Sequence, residues 1–316
     1  MPDYIRWLRG LAGPALLPLA YATAIVRDSA GRVLFQRRSD FGAAWWGLPG
    51  GLLEPGETAA TCARREVLEE TGLIVEPRRL TGVYSSLRYR VHYPNGDEAQ
   101  QVTACYECAA RGGALRPEAE EIEELRFFAP EALPPQPRWY ADMLAHALAG
   151  GARPYFDAPE RAEVETPFPS LMALRGVVGH APVVWPGAAA AVLDAAGRLL
   201  LQRRSDNGQW GLPGGSLDAG ESLAYTAKRE TLEETGVAVE ALRLLEVVSG
   251  HEVVFGNGDR LFPVVALLAC RPLGGQPRAD GRETTEVGYF EREHLPPLPP
   301  RHERMARLAF ETAEAQ

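Results

Sequence analysis

Glu66, Glu69 and Glu70 stand close together in the stretch from Gly51 to Leu73, and Glu230, Glu233 and Glu234 repeat the spacing between Gly215 and Val237. On a helix turning 100° per residue, positions i, i+3 and i+4 gather within about 100° of one face. Three like charges there oppose helix formation by roughly 0.2–0.5 kcal/mol per close pair. They also lie near the helix C-terminus, where the macrodipole disfavours anions. A solvated acidic face could explain one such helix. Two matched helices point instead to a divalent cation, because hard carboxylate oxygens suit Mg²⁺ or Mn²⁺, ions that keep some waters and share a substrate phosphate. Ala60, Ala63, Val67 and Thr71 form an adjacent stripe expected to face the core, as do Ala224, Ala227, Thr231 and Thr235.

The elements that position these helices are duplicated too. Arg9, Gly31 and Asp40 return as Arg175, Gly197 and Asp206, at an offset of 166. The segment Trp-Gly-Leu-Pro-Gly-Gly recurs from Trp46 and Trp210, and Asn95-Gly96-Asp97 recurs as Asn257-Gly258-Asp259. The offset shortens twice, at points expected to be loops. A period this long is a domain duplication rather than a solenoid. The expected division is 1–150, a Gly- and Pro-marked linker over 151–168, and 169–316. The apolar stretch before Ala24 resembles a leader peptide, but its counterpart in mid-chain marks it as domain structure, a short helix and then a strand. Each half reads as two strands around an Asp/Gly turn, a Gly/Pro loop, a helix (Thr58 to Thr71; Ser222 to Thr235) stopped by Gly72 or Gly236, an Asn-Gly hairpin, a last strand and a closing amphipathic helix. That order gives an α/β class, with two tandem α/β/α sandwiches, each around a mixed β-sheet.

Both glutamate segments resemble the Nudix box, G-x5-E-x7-R-E-U-x-E-E-x-G-U with U a bulky aliphatic residue. The first fits throughout with Gly51, Glu57, Arg65, Glu66, Val67, Glu69, Glu70, Gly72 and Leu73. The second fits with Gly215, Glu221, Arg229, Glu230, Glu233, Glu234, Gly236 and Val237, but Thr231 occupies an aliphatic position. The resemblance implies hydrolysis of the P–O–P bond in a nucleoside diphosphate linked to another group, with Mg²⁺ or Mn²⁺. It implies metal ligands at Glu66, Glu69, Glu70, Glu230, Glu233 and Glu234, assisted by the carbonyls of Gly50 and Gly214. Glu57 with Arg65 and Glu221 with Arg229 would brace loop against helix. The carboxylate that takes the attacking water's proton is left between Glu66 and Glu121 in the first half, and between Glu230 and Glu283 in the second.

Arg37, Arg38, Arg203 and Arg204 end the second strand of each half, where a guanidinium can clamp phosphate oxygens. Strand alternation lets only one of each pair face the pocket. Trp46 and Trp210 read as core, and the lone Cys105/Cys108 pair as strand residues rather than a zinc site. With 316 residues, 46% hydrophobic and a formal charge of −9, the chain can bury two cores and lacks the basic stripe of a nucleic-acid tracker. The expected partner is a small nucleotide, with no nucleic-acid polymer and no membrane, in the cytoplasm. The two halves are expected to pack as an internal pseudo-dimer. A second reading makes one half a non-catalytic nucleotide-binding module. The halves also differ between Leu87 and Tyr93 on one side and His251 and Gly256 on the other, which suggests different substrates.

Overall fold

Runs of small and β-branched residues, too apolar to face water, make the central strands, and glycine- or aspartate-marked turns separate them. A computed structural model describes residues 4–39, 45–118 and 120–314; Asp40 of the first repeat lies outside them. The first half runs α1 (Tyr4–Ala12), β1 (Leu17–Arg27), β2 (Val33–Arg38), β3 (Trp46–Gly47), β4 (Gly50–Leu52), α2 (Ala59–Thr71), β5 (Leu73–Tyr84), β6 (Arg90–His92), β7 (Glu98–Gly113), β8 (Ile122–Phe128), α3 (Arg138–Leu148) and β9 (Tyr155–Phe156). The second runs α4 (Leu171–Val178), β10 (Val183–Val192), β11 (Leu199–Arg204), β12 (Trp210–Gly211), β13 (Gly214–Ser216), α5 (Leu223–Thr235), β14 (Ala238–Val248), β15 (Val253–Val254), β16 (Arg260–Gly274), β17 (Thr284–Phe290) and α6 (Pro300–Glu314).

The protein is therefore an α/β chain of two like halves. In each, a long parallel pair (β1 with β7; β10 with β16) is flanked by antiparallel neighbours, β4 and β5 or β13 and β14. A three-stranded antiparallel flap, β3-β2-β8 or β12-β11-β17, leans off this sheet. Helices cover both faces. α2 packs through Ala59, Cys62, Ala63 and Val67 onto β1, while Met143 and Leu144 of α3 meet Ile25 and Phe35 on the other side. Ala60, expected in the buried stripe, is only half-buried; Ala59 and Cys62 take its place because the sheet meets the helix slightly around its axis. One offset change falls between Arg38 and Trp46, where residues 40–44 lie outside those described; the other falls near a 3₁₀ turn, Leu87–Tyr89, that has no counterpart before β15.

The stretch expected as a linker is built into the structure. β9 adds a parallel strand to β5, and the buried Asp157 accepts hydrogen bonds from the amides of Ser85 (2.6 Å) and Ser86 (3.1 Å). Contacts between the halves come in matched pairs. The Ser249 hydroxyl accepts from the Ala59 amide at 3.0 Å, and the Ser85 hydroxyl accepts from the Leu223 amide at 3.0 Å. Each donor is the first residue of α2 or α5, so each helix start receives an acceptor from the other half. Leu174, Val183 and Trp185 of the second half share one core with Leu8, Leu17 and Leu19 of the first. Among the described residues, no helix is long and apolar enough to cross a membrane.

Gln100 sits at the centre of this contact, fully buried. Its amide donates to the carbonyls of Ser85 and Glu221, each at 2.8 Å, and accepts from the Gly220 amide at 2.7 Å. Gln100→Ala strands these buried groups at 1–3 kcal/mol each, less whatever water re-enters. We expect a loss of roughly 2–4 kcal/mol in denaturant unfolding, whereas Gln100→Glu restores the acceptor but not both donors and falls between.

Candidate active site

The local sequence explains how the glutamate helices are framed. Thr58 and Ser222 cap α2 and α5, accepting from the amides of Thr61 and Tyr225, and Gly72 and Gly236 end them in the left-handed region at φ 73° and 71°. Ahead of each helix the chain joins the sheet beside its central strand, at Gly50 and Gly214. A Cβ at Gly50 would lie 2.4 Å from the Ala22 carbonyl oxygen, and one at Gly214 2.3 Å from that of Ala188. Only glycine lets this loop press so closely on the central strand. The close approach aims each glycine amide at the helix.

The three glutamates of each trio are not equivalent. Glu70 and Glu234 point inward and are 5% and 4% exposed. Glu70 accepts from the Gly50 amide at 2.9 Å and from the Gln36 side chain at 2.8 Å. Glu234 accepts from the Gly214 amide at 2.9 Å and from Gln202. Glu66 and Glu230 are half-buried against Gly51 and Gly215, where a Cβ would fall 2.4 Å from the carboxylate oxygen. Glu69 and Glu233 project into solvent. Burial is the main cause that lifts Glu70 and Glu234 to about 8, with the neighbouring Glu66 and Glu230 charges adding to it. Burial likewise raises Glu66 and Glu230 to about 7, against the pull of Arg65 and Arg229.

Arg65 and Arg229 organise the outer edge. Arg65 meets Glu57 at 2.8 and 3.0 Å, the Leu52 carbonyl at 3.0 Å, Glu66 at 2.7 Å and Glu69 at 3.0 Å. Arg229 repeats this with Glu221, Ser216, Glu230 and Glu233. Among the described residues, no three acidic, histidine or cysteine side chains converge into a ready metal cage. The arginine draws Glu66 and Glu69 one way, while the glycine amide and glutamine hold Glu70 the other.

The arginine pairs divide as strand alternation requires. Arg38 turns to Glu70 (3.4 Å) and Glu121 (3.1 Å), whereas Arg37 pairs with Glu123 and Glu124 on the other face. Arg204 lines the second cleft, held by Asp206 at 2.8 Å, and Arg203 turns to the Gly208 carbonyl and Glu286. Glu121 is exposed, just ahead of β8. Glu283 stands just ahead of β17 in the second cleft, where its charge helps raise Glu230. Trp46 and Trp210 pack edge-on against Phe128 and Phe290 at 5.0 Å. All four cysteines are free and buried; burial lifts Cys105 and Cys108 to about 12, leaving no thiolate for chemistry.

Gln36 and Gln202 escaped the sequence reading. Their signal was a glutamine closing an apolar strand in both repeats, directly before two arginines. The cleft walls supplied by the closing helices were also missed, since nothing in their spacing announces a pocket. The second-half cleft measures about 1960 Å³ and reaches from Glu230 and Glu234 to Arg301 and His302. In the first half Tyr140 packs on Trp45 (5.8 Å between rings), and the Tyr21 and Tyr93 hydroxyls meet at 3.0 Å.

A family description of the NUDIX domain matches residues 18–147 and 184–309. A MutT-like protein of Streptomyces ambofaciens is 36% identical over 147 residues, 46% of this chain and 87% of that protein. An ADP-ribose pyrophosphatase of Methanocaldococcus jannaschii is 31% identical over 120 residues, 38% of this chain and 66% of its own length. The NAD-capped RNA hydrolase of Vibrio cholerae is 32% identical over 126 residues, 39% of this chain and 43% of the relative. Two of these relatives are thus matched over no more than about two thirds of their length. Among solved structures, a MutT NUDIX hydrolase from Burkholderia pseudomallei is 33% identical and covers 41% of this chain and 97% of its own, at a TM-score of 0.33.

Two outcomes follow from the geometry. Glu66, Glu70, Glu230 and Glu234 have folded-state values near 7 and 8 against an ordinary 4.5, so the stability they allow is complete below pH 4.5 and is lost as pH rises through 7 to 8. Scanning fluorimetry in EDTA should show a melting temperature that falls between pH 5 and pH 8.5. The fall should be smaller in a Glu70→Gln/Glu234→Gln protein, which stays neutral at those positions. Gly51→Ala should push the Glu66 carboxylate off its seat, lowering any catalytic turnover that depends on Glu66 by about 10²-fold or more while the far-ultraviolet circular dichroism spectrum stays unchanged.

Proposed function

This chain belongs to the NUDIX family, and from that premise we propose that both halves are active, each cutting the P–O–P bond of a nucleoside diphosphate linked to a second group. The chain is a hydrolase of phosphorus-containing anhydrides, as its relatives named pyrophosphatases and diphosphatases are. One observation carries the two-site reading: the buried Glu–Gly–Gln arrangement of the first half recurs, contact for contact, in the second. The relatives named for ADP-ribose and for NAD-capped RNA support a nucleotide substrate. The domain division 1–150, 151–168 and 169–316 encloses both family matches.

The residues present fit a divalent ion. The donors are carboxylate oxygens, one per half is buried and a second half-buried, and Gly51 and Gly215 leave the room that a Cβ would fill. Glu66, Glu69 and Glu70, with Glu230, Glu233 and Glu234, would hold Mg²⁺ or Mn²⁺, with the carbonyls of Gly50 and Gly214. When bound, the ion offsets the negative charge of the pyrophosphate and activates water for in-line attack on phosphorus. The chain supplies the rest. The Gly50 amide and Gln36 keep Glu70 in one orientation. Arg65, itself held by Glu57, keeps Glu66 beside it. Arg38 and Arg204 face the phosphate side and can clamp its oxygens. A carboxylate of the same cleft, Glu66 or Glu121 and correspondingly Glu230 or Glu283, receives the water's proton.

The matched Ser249–Ala59 and Ser85–Leu223 contacts and the shared core support an internal pseudo-dimer. Four free thiols accord with a reducing compartment such as the cytoplasm.

The test is a panel of nucleoside diphosphate derivatives with Mg²⁺, Mn²⁺ or EDTA, read by chromatography. Glu70→Gln and Glu234→Gln should each remove only its own half's share of turnover, and the double variant should fall about 10³-fold or more. Total loss from one single variant and none from the other would make the silent half a binding module. No metal-dependent cleavage of any member would end the hydrolase reading. Glu121→Gln and Glu283→Gln would lower turnover as strongly if the late-loop carboxylate takes the proton, and little if the helix carboxylate does.

A further inference from the structure

The two closing helices differ in their first turn. Trp139 and Tyr140 of α3 correspond, at the offset of the Asn-Gly hairpins, to Arg301 and His302 of α6. In the first half this turn is aromatic, with Tyr140 and Trp45 both against Gly47. In the second half the His302 ring lies against Gly211, where a Cβ would stand 2.9 Å from Cε1. The Leu212 amide donates to His302 Nδ1 at 3.1 Å. Burial, with the charges of Arg301 and Arg204, holds His302 at about 3, so the ring is neutral near pH 7 and carries a single proton. With Nδ1 accepting, that proton sits on Nε2. Nε2 lies 3.0 Å from Arg301 Nη2, which is also a donor.

Two donors therefore meet with no acceptor between them. The other Arg301 nitrogen, Nη1, approaches His251 Nε2 at 3.2 Å. Among the described residues no carboxylate pairs with Arg301. Of the acids that line the same cleft, Asp206 is held by Arg204 and Glu252 by Arg260. Arg301 also sits in the first turn of a 15-residue helix, whose dipole favours an anion there. The whole corner opens into the cleft that holds Glu230 and Glu234.

We propose that Arg301, His302 and Arg204 form a phosphoryl-binding subsite in the second half, one that the first half lacks because Trp139 and Tyr140 stand in its place. It rests on the nucleotide-hydrolase reading only for what carries the phosphoryl group. The two halves then differ in substrate: the second takes the more highly phosphorylated compound.

The probe is inorganic phosphate, titrated into the full chain by calorimetry with and without Mg²⁺. Wild type should bind saturably and more weakly as salt rises. Arg301→Gln should weaken binding about tenfold or more, Arg301→Lys, which keeps the charge but loses the planar fork, should weaken it less than Arg301→Gln, and Arg307→Gln, on the outer face of α6, should leave it unchanged. Each variant's melting temperature is checked alongside. Phosphate binding by Arg301→Gln equal to wild type, or no binding by wild type under either condition, overturns the subsite. Nucleotide turnover, measured separately, keeps the two readings apart. Phosphate binding that depends on Arg301 without any turnover removes the hydrolase and leaves the subsite; turnover with Arg301-independent binding does the reverse.

Discussion

A carboxylate buried at the end of a helix is the constraint around which each half is arranged. Glu70 and Glu234 lie where a charge is costly, and each is held by a backbone amide and a glutamine, with Arg38 also 3.4 Å from Glu70. Several otherwise unrelated features serve that one placement. Gly50 and Gly214 must be glycine so that the loop can touch the central strand and present its amide. Gln36 and Gln202 must end their strands on the inner face. The helix must rotate far enough to turn its last glutamate inward, which is why Ala59 and Cys62 are buried and Ala60 is less so. What remains uncompensated is negative charge, and a divalent cation is the partner its oxygen-only donors suit.

The second theme is mutual support. Neither glutamate helix completes its N-terminal hydrogen bonding within its own half, since the Ala59 and Leu223 amides find serine hydroxyls across the boundary. Gln100 adds three more buried bonds at the same place. A disturbance on one side is thus felt at the start of the opposite helix. The segment between the halves reinforces this, because Asp157 and β9 tie it to the first half while the Ala162 amide bonds the Gly220 carbonyl of the second.

Against this shared frame the two clefts diverge. The first half sets Trp45 against Tyr140 and Tyr21 against Tyr93; the second-half cleft is walled by Arg204, Arg301, His251 and His302. The strands and the glutamate helix keep the buried Glu–Gly–Gln arrangement common to both. Loops and the closing helix, which carry less of the core, are free to vary what each cleft admits.

How much of this was legible beforehand follows from the range of the interactions. The repeat exposed the duplication, local spacing exposed the helix limits at Thr58 and Gly72 and the hairpins at Asn95 and Asn257, which depend on residues a few positions apart, and the resemblance implied the arginine that braces loop against helix. It could not reveal that Glu70 turns inward while Glu69 faces water, since both lie on one arc of the helix until the sheet selects a contact line. It could not reveal Ser249 over Ala59, or Arg301 against His251, because those partners meet only when the chain closes over long separations. Residue type and period determined the class of chemistry; burial and long-range packing decided which atoms are placed to do it.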